Sequence, residues 1–268
     1  MNDTCLEFRN LTLGYDGHAA VHHLNGAVER GSLTAVLGAN GSGKSTLMKG
    51  IAGILKPLGG GCVSSARRLA YLPQLSELDR SFPARVVDLV SLGFWQQRGL
   101  FGRVTRDDKG RLSGCLDAVG LSGFEARPLD SLSGGQMQRA LFARTMLQDA
   151  DLILLDEPFN AVDDETMRDL LAVVAQWAGE GRTVFCVLHD HALARAHFPQ
   201  ALLMARKQVA WGRTEEVMTS DNLSRARSFQ EAWDDTAGWC EEPRGLQRHL
   251  HGDGAGPDAS VRKAAAHG

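Results

Sequence analysis

The chain has 268 residues, enough for one large α/β domain, with or without a tail, and enough to bury a core without disulfides. A formal net charge of -3 and an isoelectric point near 6.3 give no electrostatic case for a nucleic-acid partner. The five cysteines are scattered and include no Cys-x-x-Cys pair, which fits a reducing compartment and argues against a disulfide framework or a zinc knuckle. No apolar run approaches the roughly 20 residues that a spanning helix requires. The first residues, Met1-Asn2-Asp3, do not start a basic region followed by an apolar stretch, so no signal peptide is expected. Any membrane role is therefore expected to come through a partner.

Leu6, Phe8, Leu11 and Leu13 form a broken alternation that predicts an opening strand or strand pair. Leu33 to Leu37 predicts a short strand ending at Gly38, and Lys44 to Ala52 a helix stopped by Gly53 and Lys56-Pro57. Leu69 to Leu72 is a further strand. From Phe82 to about Leu147 the pattern turns helical, with apolar faces at Val86, Val87, Leu89 and Val90, at Leu116 and Val119, and at Met137, Leu141 and Met146. Two buried-type strands follow, Leu152 to Leu155 and Thr183 to Leu188, separated by a helix over about Glu165 to Ala178. Ala201 to Ala205 and Gln208 to Trp211 predict closing strands. Strands alternating with helices imply a mostly parallel sheet, and the all-helical insert implies a small second lobe. After about Gln230 the composition shifts to Asp, Glu, Gly, His and Ala without periodicity, the pattern of a loosely ordered tail. The expected organisation is a main domain over 1–230, with a helical subdomain at about 80–147, and a tail over 231–268.

Three motifs carry chemistry. Gly38-Ala39-Asn40-Gly41-Ser42-Gly43-Lys44-Ser45, followed by Thr46, matches the phosphate-loop pattern at every fixed position. Its glycines let backbone N–H groups wrap phosphate oxygens, and the helix that follows points its positive end at the same anion. Lys44 is expected to reach the β- and γ-phosphates, and Ser45 to bind Mg²⁺. Leu152 to Pro158 is a buried strand that delivers Asp156 and Glu157 to its C-terminal end. There Asp156 would hold Mg²⁺ and Glu157 would polarise an attacking water. Between the two lies Leu132-Ser133-Gly134-Gly135-Gln136, which opens a predicted helix and offers a second backbone anion site. The same residues also spell an ordinary serine helix cap.

A phosphate loop, a Ser-Gly-Gly-Gln element and an acidic strand end, in that order, resemble the nucleotide-binding subunit of an ATP-binding-cassette (ABC) transporter over roughly residues 5 to 226. The resemblance implies a P-loop NTPase fold: a RecA-like core, an antiparallel β subdomain and an inserted helical subdomain. It implies ATP and Mg²⁺ as cofactors, and Glu157, His189 and Lys44 as the catalytic set. Ser133 to Gln136 would complete the ATP site of a second copy of the chain, which implies an ATP-dependent homodimer. Tyr15 falls where the superfamily stacks adenine. Gln74 falls where it senses Mg²⁺ and hinges the helical lobe, and His189 where it contacts the γ-phosphate. Asp163 matches the loop linking the two sites of the dimer, although this chain has Asn160 where the superfamily commonly has Ser.

Phe82 to Asp88, Arg98-Gly99-Leu100-Phe101, Phe142-Ala143-Arg144, Phe159 after Pro158, Ala210-Trp211-Gly212 and Glu216 to Thr219 resemble the zinc and manganese importer branch. That implies integral-membrane permease partners, a metal-binding solute receptor acting indirectly, and a place on the cytoplasmic, inner face of the cell membrane. The stretch from Phe82 to Phe101 is expected to dock a permease helix. Competing readings are an ABC ATPase for another small solute, and a soluble one in DNA repair or translation. His18, His22, His23, His249, His251 and His267 have no ligand spacing and are expected as solvated polar surface.

Overall fold

The computed structural model describes residues 4–79, 82–99, 105–160 and 162–231. The expected tail after Glu231, with its histidines and Cys240, lies outside the described residues, as do Leu100 and Phe101. The strands are β1 (Thr4–Tyr15), β2 (His18–Glu29), β3 (Leu33–Leu37), β4 (Gly59–Ser64), β5 (Leu69–Leu72), β6 (Leu152–Asp156), β7 (Thr183–Val187), β8 (Gln200–Ala205) and β9 (Lys207–Arg213). The helices are α1 (Lys44–Ile51), α2 (Val86–Ser91), α3 (Trp95–Arg98), α4 (Arg106–Ala118), α5 (Gly134–Gln148), α6 (Asp164–Gly179), α7 (His191–His197), α8 (Thr214–Val217) and α9 (Ser220–Glu231).

Among the described residues the strands form one sheet in the order β4-β1-β2-β9-β8-β3-β7-β6-β5. Its heart, β8-β3-β7-β6-β5, is parallel throughout. Its far end, β4-β1-β2, is antiparallel and meets β9 through a single paired position, His22 with Lys207. Trp211 of β9 stiffens that seam. Its ring lies against Phe8 and Phe185, with centroids 5.7 and 6.4 Å away, and covers Gly26, where a Cβ would come within 2.6 Å of it.

β3, β6 and β7 are buried at every position because both faces are covered. Leu33, Ala35, Leu37, Ile153, Leu155, Val184 and Cys186 face one core, shared with α2, α4, α5 and α6. Val36, Leu152, Leu154, Phe185 and Val187 face the other, shared with α1 and the hairpin β1–β2. This period-two division places α1 on one side of the sheet and α2, α4, α5 and α6 on the other.

One expectation is corrected. His22 is not solvated surface: it is 7% exposed on β2, and its Nε2 lies 3.1 Å from the Ala19 carbonyl oxygen. Burial in a β-hairpin that packs on α1 pulls this imidazole out of water and lowers its pKa. No group of three or more metal-ligating side chains occurs among the described residues.

Candidate functional site

Parallel strands end together on one edge of the sheet, where α/β folds bind ligands. In register, Val36 and Asp156 both pair with Val187, and Leu155 pairs with Leu72. Gly38, Gln74, Glu157 and His189 each follow within two residues of those positions. Four segments distant in sequence therefore converge on one cleft of about 610 Å³. Its walls are Asn40, Gly41, Gly43, Lys44, Ser45 and Thr46 from the loop, and Gln74, Glu157, Asn160 and His189 from the strand ends.

The loop's shape depends on two glycines. Gly38 has φ 151°, and a Cβ there would lie 2.3 Å from the Met204 carbonyl oxygen. Gly43 has φ 92°, and its Cβ would lie 2.4 Å from the Ala20 carbonyl oxygen. Any larger residue at either position would lift the loop off the sheet. Ser42 is fully buried beneath the loop, and its N–H donates to the Ala39 carbonyl at 3.2 Å. Lys44, 5% exposed, donates from Nζ to the carbonyl oxygens of Gly38 and Ala39 at 3.0 and 2.9 Å. Burial lowers its pKa, against the opposing pull of Glu157 and Asp156.

Ser45, Gln74 and Asp156 form a tight cluster. Ser45 Oγ donates to Asp156 Oδ1 at 3.1 Å and accepts from Gln74 Nε2 at 3.0 Å. Asp156 is buried at the end of β6, and desolvation raises its pKa to about 6 despite the Ser45 hydrogen bond. A carboxylate and a hydroxyl present hard oxygens at one point, with an amide beside them, and such a set suits Mg²⁺. Tyr71, on β5, reaches Asp156 Oδ2 with its hydroxyl at 3.5 Å.

Glu157 has φ 52°, a left-handed conformation that turns the chain sharply after β6 and aims the carboxylate into the cleft. Its Oε1 lies 2.6 Å from His189 Nε2, and its Oε2 accepts from Asn160 Nδ2 at 2.5 Å. Neither the Asn160 contact nor the Tyr71 contact was read as part of the site from sequence. The only signal for Asn160 was its departure from the commoner serine. Phe159, between the two cleft residues, packs on Phe142 at a centroid distance of 6.5 Å, and Phe142 stacks on Trp177 at 5.7 Å. The turn after β6 is thus braced against α5 and α6.

Other expected site residues stand outside this cleft. Gly38 and the buried Ser42 and Asp156 underlie it rather than line it. Tyr15 ends β1, is 47% exposed, and lines a neighbouring depression with Lys49, Tyr71 and Glu77. Ser133, Gly134, Gly135 and Gln136 do not line it either. They build a reciprocal cap on α5: Ser133 Oγ accepts from the Gln136 N–H, and Gln136 Oε1 accepts from the Ser133 N–H, both at 3.1 Å. Asp163 caps α6, accepting from the Thr166 N–H at 2.8 Å. Arg139 ties the two helices by donating to Thr166 Oγ1 at 3.1 Å and Asp169 Oδ2 at 2.9 Å.

Residues 21–160 match the family described as ABC transporter. The chain belongs to the ABC transporter family. The cassette is similar over most of its length to curated family members. One is a probable metal transport system ATP-binding protein of Chlamydia pneumoniae, 35% identical, covering 83% of this chain and 88% of the relative. The manganese transport system ATP-binding protein MntB of Listeria monocytogenes is 34% identical over 82% and 95%. The zinc transport system ATP-binding protein TroB of Treponema pallidum is 35% identical over 81% and 84%. Among solved structures, a putative metal-chelate type ABC transporter in an inward-facing conformation superposes with a TM-score of 0.75 at 30% identity, covering 84% of this chain and 89% of that one. The protein is an ABC-type ATPase with ATP as its nucleotide.

Proposed function

We propose that this cassette is the ATP-hydrolysing subunit of an importer for a divalent transition metal, with zinc as the first cargo and manganese as the alternative. The observation that carries the hydrolytic half is the Glu157 carboxylate standing in the phosphate cleft, opposite Lys44 and beside His189. Lys44 releases the loop carbonyls to reach the β- and γ-phosphates, while the loop N–H groups cradle them. Ser45 and Asp156, with the Gln74 amide, would hold Mg²⁺. That ion, when bound, offsets the charge on the phosphate oxygens. Glu157 accepts a proton from water as the water oxygen bonds to the γ-phosphorus. The bond from that phosphorus to the bridging oxygen breaks, and ADP leaves with the electron pair. His189 donates a hydrogen bond to the γ-phosphate, and Tyr15 stacks on adenine.

Ser133, Gly134, Gly135 and Gln136 complete the site of a second copy, so two chains close on two nucleotides. Support for a permease partner comes from the exposed apolar side chains Ile54, Phe82, Leu92 and Trp95, while no described helix is long and apolar enough to cross a membrane. The cassette therefore sits on the cytoplasmic face through its permease, with a metal-binding receptor supplying cargo from outside. Support for metal cargo comes from relatives named for manganese and for zinc at nearly equal identity.

Uptake of radioactive zinc and manganese, in cells carrying wild-type or Lys44→Ala protein, tests the cargo. Loss of zinc uptake in the variant is expected, and loss of manganese uptake alone would reassign the cargo. If neither flux depends on Lys44, the metal reading fails while the ATPase stands.

A further inference from the structure

We propose that Asn160 is a positioning residue for ATP hydrolysis, holding the Glu157 carboxylate by Oε2 so that it keeps facing the phosphate cleft; this rests on Glu157 as the base. The two residues are three apart in a turn that closes on itself, since the Asn160 N–H donates to the Glu157 carbonyl oxygen at 3.3 Å. The left-handed φ of 52° at Glu157 starts that turn and brings the Asn160 side chain back over the carboxylate. Phe159 anchors the intervening backbone on Phe142.

The carboxylate is gripped from two sides, by His189 at Oε1 (2.6 Å) and by Asn160 at Oε2 (2.5 Å). The two grips differ in kind. His189 follows the end of β7 and lines the cleft, where a nucleotide's γ-phosphate competes for its Nε2. Asn160 is tied to Glu157 by the backbone turn as well as the side chain. When His189 turns to phosphate, Oε1 is freed for the attacking water and Asn160 keeps the carboxylate from swinging away. A neutral amide is suited to this hold because it donates a hydrogen bond without neutralising the charge that accepts the proton. A serine here has a shorter arm and reaches less far.

Steady-state ATPase kinetics, nucleotide affinity and melting temperature of the purified full chain test this, using Asn160→Asp, Asn160→Ala and Asn160→Ser. Asp is nearly isosteric with Asn but sets an anion against the carboxylate, so kcat should fall about 30-fold or more, with KM and ATP affinity within about twofold. Ala should lose about tenfold in kcat, and Ser should recover part of that loss. A residue that merely shapes the turn would tolerate Asp and respond to Ala through melting temperature instead. Wild-type kcat in Asn160→Asp, or a loss of ATP affinity matching the loss of kcat in Asn160→Ala, overturns the proposal. Glu157→Gln serves as the control. Turnover surviving there overturns the base reading and this proposal with it. A dead Glu157→Gln beside a fully active Asn160→Asp overturns the positioning role alone.

Discussion

Asp156 is set where a carboxylate is useful to a cation and costly to an empty chain. Its folded pKa of about 6 exceeds the ordinary carboxyl value near 4 because burial disfavours the anion. Below about pH 4 both folded and unfolded states carry the proton, and burial costs nothing. As pH rises from about 4 to 6 the unfolded chain ionises first, so the folded state loses stability, by about 3 kcal/mol in all. Above about pH 6 the loss levels off. Asp156→Asn should therefore melt several degrees above wild type at pH 7.5 in chelator without nucleotide, and match it near pH 4, while losing turnover. Scanning calorimetry across that range checks the sign: an Asn variant less stable at pH 7.5 would show that the buried carboxylate is compensated. Glu157→Gln should leave ATP binding intact, abolish steady-state hydrolysis and trap the ATP-bound dimer. Nucleotide binding and phosphate release, measured on one preparation, separate those effects. At this scale the sequence was legible where a motif fixes position: Lys44 and Ser45 line the cleft that the loop pattern implies. It was silent where geometry depends on one backbone angle, as in the Asn160 contact, which follows from a left-handed Glu157 that no residue type announces.

The signature helix α5 is the element on which the dimer reading turns. Its serine is a working cap in the single chain and, in the proposed dimer, part of the partner's phosphate site. Ser133→Arg should therefore cost about 1 kcal/mol of stability through the lost cap, and should block hydrolysis while each monomer still binds ATP through Lys44. In a Glu157→Gln background, size-exclusion chromatography with ATP should show monomer; a persistent dimer would contradict the shared site. Long, strongly patterned elements were readable from sequence: β5 and β6 and the helices α1, α5 and α6 lie within a few residues of expectation. β2 and β4 were not. The buried Val21, Leu24 and Val28 of β2 are spaced three and four residues apart, a helical spacing that register shifts in its pairing with β1 convert to one face of a strand. β4 begins Gly59-Gly60-Gly61, with no apolar alternation to read, and exists because β1 offers it an edge. α7 and α9 were also missed: one is a short turn capped by Asp190, the other a mostly polar helix.

Over the whole molecule, the largest apolar groups left uncovered include several on the segment expected to meet a permease. Phe82 is 65% exposed and Trp95 55%, with Leu92 between them in sequence. Trp95→Glu should abolish co-purification with the permease and metal uptake, yet leave the isolated chain's melting temperature within a degree or two, because the ring supports no core. Normal co-purification would move the docking surface elsewhere. The sheet order carries a further consequence, for synthesis. The strand that launches the phosphate loop, β3, has only β7 and β8 as neighbours among the described residues, and both are made roughly 150 or more residues later, which at ~5–20 residues per second is ~8–30 s on the ribosome. Until they emerge, the loop's own strand has no partner, and its glycines have no Met204 carbonyl to rest against. The nascent cassette thus carries its phosphate loop through the synthesis of the intervening residues and cannot shape it until β7 and β8 are made. Ribosome-stalled chains ending before Thr183 should not retain ATP, whereas chains with Glu231 clear of the exit tunnel should.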